Sequence, residues 1–175
     1  MISKFEKPNV VRGFSARFVF MCVLSGLPRQ RGLHAEGASI CGTSHNTFKN
    51  WCTTDKPPTF PTVADIVDTL LSNTDWEFDP IGVAAWLFTG DGRGVENPFQ
   101  KIPLVDSDLF QSYLDVFIIE KIDGDFDVKK LKEMNTLLFD FSIKHKINTI
   151  KKLLSVDHSI IESTIKSALH GKNTG

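Results

Sequence analysis

The chain of 175 residues contains no apolar run near the ~18 residues that a bilayer-spanning helix requires. Its most apolar stretch, Arg-Phe-Val-Phe-Met-Cys-Val-Leu at residues 17–24, is too short, and no small-residue cleavage site follows it. It reads better as a first buried helix. Cysteine is scarce and odd in number: Cys22, Cys41 and Cys52 do not have metal-site spacing. They read as thiols of a reducing cytosol, with Cys41 expected to face the core. His34 and His45 lie near them in sequence, but ligand pairs two to four residues apart are missing, so zinc is set aside. Asp123-Gly124-Asp125-Phe126-Asp127 begins like a calcium loop and then fails. Its sixth position is Val128 where glycine is needed, and its twelfth is Met134 where a bidentate glutamate is needed. The glycine-rich run at residues 90–94 follows no strand, so it is not a nucleotide loop. No nucleophile–base pair or carboxylate pair stands out. These absences argue against an enzyme and leave no expected cofactor or metal. Apolar residues never alternate at period two for long, so the expected fold class is all-α.

A formal net charge of −1 conceals a strong asymmetry. Residues 1–60 hold eight Lys/Arg against three acids, a balance of +5. Residues 61–105 hold two against seven, a balance of −5. Affinity for a polyanion depends on charge where the polyanion lies, not on the total.

Within the basic segment, residues 38–51 read Ala-Ser-Ile-Cys-Gly-Thr-Ser-His-Asn-Thr-Phe-Lys-Asn-Trp. Gly42 sits where a helix must stop and turn with positive φ. Ser44 is a good N-cap for the helix that follows. Phe48 and Trp51, three apart, form its apolar underside. His45, Asn46, Thr47, Lys49 and Asn50 are left around the other face, with donors and acceptors suited to base edges. Two helices around such a turn make a helix-turn-helix, the second helix being the reader.

Ala38, Gly42, Ser44, Phe48 and Trp51 fall in the order of the lambda-type repressor and Cro family, which this stretch resembles. Downstream, Trp86-Leu87-Phe88-Thr89-Gly90 resembles the Trp-Leu-Leu-x-Gly ending of that family's fifth helix. The likeness covers roughly residues 15–90. Two departures stand out: Pro28-Arg29-Gln30-Arg31-Gly32 reads as an insertion, and Gly37 replaces a usual core leucine. The resemblance implies a five-helix DNA-binding domain with a phosphate-contacting loop after the reader helix, where Lys56 is the candidate. His45, Asn46, Thr47 and Asn50 are the expected base readers. Ser44, Lys49, Lys56, Arg17, Arg29 and Arg31 are the expected phosphate contacts.

Residues 1–13, with Lys4, Lys7, Pro8 and Arg12, read as a basic arm. Ser15 is the expected cap of a first helix reaching Leu24, with Arg17 on its outer face. A second helix covers residues 33–41, and the reader ends near Thr53. The proline-rich loop at residues 54–61 precedes a fourth helix, opened by Thr62 and Asp65 as a capping-box-like pair. Val63, Ile66, Val67, Leu70 and Leu71 line that helix at i, i+3, i+4, i+7 and i+8. Asp79 caps the fifth helix, with Pro80 at its first position and Gly90 at its end.

Residues 1–90 are therefore the expected DNA-binding domain, 91–103 a linker, and 104–175 a helical dimerisation or regulatory domain. The last contains four expected helices. The first carries Leu109, Phe110, Leu114, Phe117, Ile118 and Ile122, and the second Leu131, Met134, Leu137, Leu138 and Phe141. Shorter helices follow at about 147–154 and 157–170. Leu153 to Ile161 vaguely resembles a second helix-turn-helix. It has no turn glycine, and Glu162 would face phosphates, so packing is the preferred reading.

Apolar faces this wide on about seventy residues suggest continuation across a subunit boundary. The function expected from these residues is a cytoplasmic, sequence-specific transcriptional repressor of phage or prophage type. It binds a pseudo-palindromic double-stranded operator as a homodimer or tetramer and has no membrane partner. The helical second half has no strand pattern for a self-cleaving domain, so release is expected from another agent, a protein antirepressor or another inducer acting on the C-terminal helices. The competing class is a protein-binding adaptor or inhibitor that keeps the fold without reading DNA.

Overall fold

The computed structural model describes residues 10–91, 94–122 and 126–171. The first nine residues of the basic arm, Gly92 and Arg93, and residues 123–125 of the aspartate-rich loop lie outside them. Among the described residues the chain is all-helical, with nine helices, no strand and one isolated antiparallel bridge between Pro103 and Thr149. No described helix is long and apolar enough to cross a membrane. The chain divides into two compact units, Met1–Pro98 and Phe99–Gly175.

The first unit holds α1 (Phe14–Leu24), α2 (Leu33–Cys41), α3 (His45–Thr53), α4 (Phe60–Leu71) and α5 (Pro80–Thr89). The start of α1 differs from expectation. Its N-cap is Gly13 with φ 82°, which offers no side-chain acceptor. Asp55 supplies one from the far side of α3. Its Oδ2 accepts from Gly13 N (3.2 Å), and its Oδ1 accepts from Ser15 N (3.0 Å) and Ser15 Oγ (2.8 Å). Ser15 thus sits inside the helix and donates to the group that caps it.

The fourth helix also starts early. Thr59 is its N-cap and Pro61 occupies its first turn, where the missing N–H costs nothing. The Thr62–Asp65 box is not its start; Thr62 Oγ1 lies 3.0 Å from Thr59 Oγ1. Asp79 caps α5 as expected, accepting from Ile81 N at 3.2 Å, and Gly90 ends that helix with φ 67°.

All five periodic residues of α4 are buried, from Val63 to Leu71. An aromatic chain binds α1 to α3 and α5: Phe18 packs on Phe48 (5.5 Å between ring centroids) and on Trp51 (6.1 Å), and Phe20 on Trp86 (6.4 Å). Gly37 in α2 faces Phe48 so closely that a Cβ there would overlap the ring. The volume expected of a leucine at Gly37 is supplied from α3 instead.

The three cysteines are unpaired, with Cys22 and Cys52 buried. Cys41, expected in the core, is only half-buried, because it ends α2 just before the chain turns away at Gly42. Burial first, and the neighbouring Cys41 thiol second, push Cys52 up to about 12. No group of His, Cys, Asp and Glu able to hold a metal ion occurs among the described residues.

The second unit holds α6 (Ser107–Lys121), α7 (Val128–Lys144), α8 (Ile150–Leu154) and α9 (His158–Gly171). Asp106 caps α6 through Leu109 N (2.9 Å), and Asp127 caps α7 through Lys130 N (2.7 Å). Within the expected linker 91–103, Phe99 and Ile102 are buried, as is Leu104 just after it. Gln100 O accepts from Lys151 N and Asn148 O from Leu104 N, which attaches residues 99–104 to the start of α8. Asn135, buried in α7, donates through Nδ2 to Gln111 O and Asp115 Oδ1, both at 2.7 Å, and so pins α7 to α6.

The apolar faces end largely inside this unit. Leu109, Phe110, Leu114, Phe117 and Ile118 of α6, Met134 and Leu138 of α7, Ile150 and Leu153 of α8, and Ile161 and Ile165 of α9 are all buried. Ile122, Leu131, Leu137 and Phe141 of the expected faces are half-buried. Val105, Val128, Ile143 and Ile160 are the unit's exposed large apolar residues among those described.

Candidate nucleic-acid interface

The second and third helices meet across a three-residue turn, 42–44. Gly42 takes the left-handed conformation (φ 65°, ψ 32°) that a Cβ would strain. Ser44 then caps α3: its Oγ accepts from Thr47 N at 3.2 Å and lies 2.8 Å from Thr47 Oγ1. The underside of α3 is fixed by Phe48 and Cys52, both buried, and by the half-buried Trp51. The opposite side presents His45, Asn46, Lys49 and Asn50, all exposed. Asn46 and Asn50 are four residues apart and share one face, with Lys49 between them.

Beside this face is a groove of about 390 Å³, lined by Thr47, Asn50, Trp51, Thr54, Lys56, Pro57 and Pro58. It brings together two of the expected base readers, Thr47 and Asn50, with Lys56, the expected phosphate contact of the following loop. The loop is held from below by Asp55, whose backbone O accepts from Val11 N at 2.7 Å while its carboxylate caps α1. Lys56 is thereby fixed relative to α3 through α1. The prolines at 57 and 58 stiffen the wall of the groove.

At the N-terminal end of α3, His45 meets His34 of α2 with ring centroids 5.7 Å apart in a T-shaped contact. Burial first, then the nearby His45 and Lys49, hold the His34 pKa below its ordinary value. His34 was not among the expected site residues. Nothing in its sequence spacing marks it, because the pairing arises from the angle between α2 and α3.

Arg17 is a correction. Expected on the outer face as a phosphate contact, it is buried, with 2% of its surface exposed. Its Nε donates to Leu87 O in the last turn of α5 (3.0 Å), and its guanidinium also donates to Arg12 O (3.1 Å). A guanidinium at a helix C-terminus satisfies carbonyls that the helix leaves open. Arg17 therefore joins α1 to α5 and is not available to a ligand. Arg31 is exposed and Arg29 half-buried, both in the connection that precedes α2.

No family model matches the chain, and comparison with curated proteins and with solved structures found no match.

Proposed function

We propose that this protein is a sequence-specific, double-stranded-DNA-binding transcriptional repressor of phage or prophage type, in which α2 and α3 act as a helix-turn-helix of the lambda-type repressor kind. The observation that carries the proposal is the two-sidedness of α3. Its underside is locked by Phe48 in an aromatic core, while Asn46, Lys49 and Asn50 stand exposed beside a groove that ends at Lys56. Asparagine can pair bidentately with adenine N6 and N7, and His45 and Thr47 add hydrogen-bonding capacity beside it. Ser44, Lys49, Lys56, Arg29 and Arg31 hold phosphates in this reading; Arg17 does not.

One reader helix covers only a few base pairs, so two copies on a pseudo-palindromic operator supply affinity by placing two readers about one helical turn apart. Repression follows from occupancy of the promoter. A homodimer or tetramer through the second unit, released by a protein antirepressor, completes the proposal. The adaptor alternative gives no reason for uncharged amides on the exposed face of a helix in a +5 segment.

The decisive experiment selects bound duplexes from a random library and then titrates Asn46→Ala against the selected and a scrambled duplex at one salt concentration. The expected loss is about 1–3 kcal/mol per half-site on the selected duplex only. An unchanged specificity ratio would remove α3 as the reader.

A further inference from the structure

The second unit also holds two consecutive helices joined by a three-residue connection, the first of them only five residues long. Its eighth helix ends at Leu154, residues 155–157 form a three-residue turn, and α9 opens at His158. In the sequence, the missing turn glycine and Glu162 both speak against a second helix-turn-helix. The turn closes without a glycine, because Ser155 stays right-handed (φ −75°, ψ −9°). Asp157 Oδ1 then accepts from Ser159 N (2.9 Å) and lies 2.8 Å from Ser159 Oγ, at the start of α9.

The two helices are fixed from beneath. Ile150 and Leu153 of α8 and Ile161 and Ile165 of α9 are each at most 4% exposed. On the opposite side of α9, Ser159, Ser163 and Lys166 are exposed and Glu162 is half-buried. The spacing of 159, 162, 163 and 166 places these four on one helical face. Serine bonds to any base edge and glutamate accepts from cytosine N4, so Glu162 is compatible with a reading face.

Charge favours the same surface. Between residues 144 and 166 five lysines, Lys144, Lys146, Lys151, Lys152 and Lys166, stand against two acids, Asp157 and Glu162. All five lysines are exposed. Residues 99–143 of the same unit hold five lysines against nine acids. A balance of +3 is therefore carried by the segment from the end of α7 to the middle of α9, in a unit that is otherwise acidic. A solvated helix has no need of such a division. A surface that meets phosphates does.

We infer that α8 and α9 form a second duplex-DNA contact surface, with α9 lying against the groove and Lys144, Lys146, Lys151 and Lys152 on the phosphates. The partner is double-stranded DNA, and the inference does not rest on α3 being a reader. One chain then contacts DNA through both of its units.

The test uses the full chain and a fluorescent 30-base-pair duplex of random sequence, with anisotropy titrations over a range of KCl concentrations. Four proteins are compared: the wild type, Asn46→Ala with Lys49→Ala, Lys151→Ala with Lys152→Ala, and all four substitutions together. Each neutralised phosphate contact contributes about −0.9 to the log–log salt slope, so losing Lys151 and Lys152 should make the slope shallower by about 1.8. The pair Lys151→Arg with Lys152→Arg should keep it, and Ser163→Glu should weaken binding. All the substituted side chains are exposed, and unchanged thermal melting confirms that folding is intact. If affinity and slope are the same with and without Lys151 and Lys152, the inference is overturned, and the surface belongs to another partner such as an acidic protein. If instead the α3 pair changes nothing while the α8 pair flattens the slope, Lys49 is removed as a phosphate contact and this inference stands.

Discussion

Substituting Gly37 by alanine tests how α3 is held. In an exposed helix the change would stabilise by about 0.8–1.0 kcal/mol, because glycine is a poor helix former. Here the new Cβ would overlap Phe48 at Cζ and Cε1 and come within 2.8 Å of Cε2. The ring cannot withdraw: Phe48 is fully buried, with Phe18 at 5.5 Å and Trp51 at 6.0 Å. Overpacking of this kind costs about 1–3 kcal/mol, and a direct overlap of ring and methyl belongs in the upper part of that range. The net expectation is a loss of about 1–2 kcal/mol, despite a substitution that raises helix propensity.

Tryptophan fluorescence during urea unfolding reads this loss selectively, because Trp51, Trp76 and Trp86 all lie in the first unit. Phe48→Leu removes the part of the ring that collides. In that background Gly37→Ala should become neutral or stabilising, a coupling of about 1 kcal/mol or more between touching residues. If Gly37→Ala stabilises the wild type, or costs the same with leucine at position 48, α2 and α3 do not approach as described.

Two further substitutions separate holding from contacting. Asp55→Ala removes the tertiary cap of α1 and should cost about 0.5–2 kcal/mol in the same unfolding assay. It should also weaken binding to all duplexes alike, since the loop bearing Lys56 loses its anchor. Arg17→Met leaves Leu87 O without its charged donor and should cost about 1.5–3 kcal/mol of stability. Measured on the folded protein, its salt slope should match the wild type, whereas a phosphate ligand would change it by about 0.9.

Local signals in this chain were legible because they are backbone chemistry. Gly42, Ser44 and Asp79 mark helix ends by side chains or φ values that act within a few residues, and each stands where the sequence places it. The period of Val63 to Leu71 likewise marks a buried face. What was not legible is tertiary. Asp55 caps a helix 40 residues away, Arg17 reaches a carbonyl 70 residues on, and His34 meets His45 only because α2 and α3 cross there. Arginine near a chain start in a basic segment looks like a ligand for phosphate. Only the position of α5 makes it a structural cation.

Helical periodicity reports that a face is buried but not what buries it. The faces of α6 and α9 satisfy the same pattern whether they meet another subunit or one another, and here they largely meet within one unit. The argument that survives for pairing two copies is geometric: a short reader contacts few base pairs. That argument requires two readers on one stretch of DNA and does not specify that they come from two chains. With Ile161 and Ile165 buried, the opposite side of α9 leaves Ser159, Ser163 and Lys166 exposed. In the proposed reading, Lys144, Lys146, Lys151 and Lys152 meet phosphates there as Lys49 and Lys56 are proposed to do beside α3. A second duplex contact through α9 and self-association through the exposed remainder of the second unit are compatible. They differ in what salt does: counterion release weakens the first steeply, while apolar contacts tolerate salt.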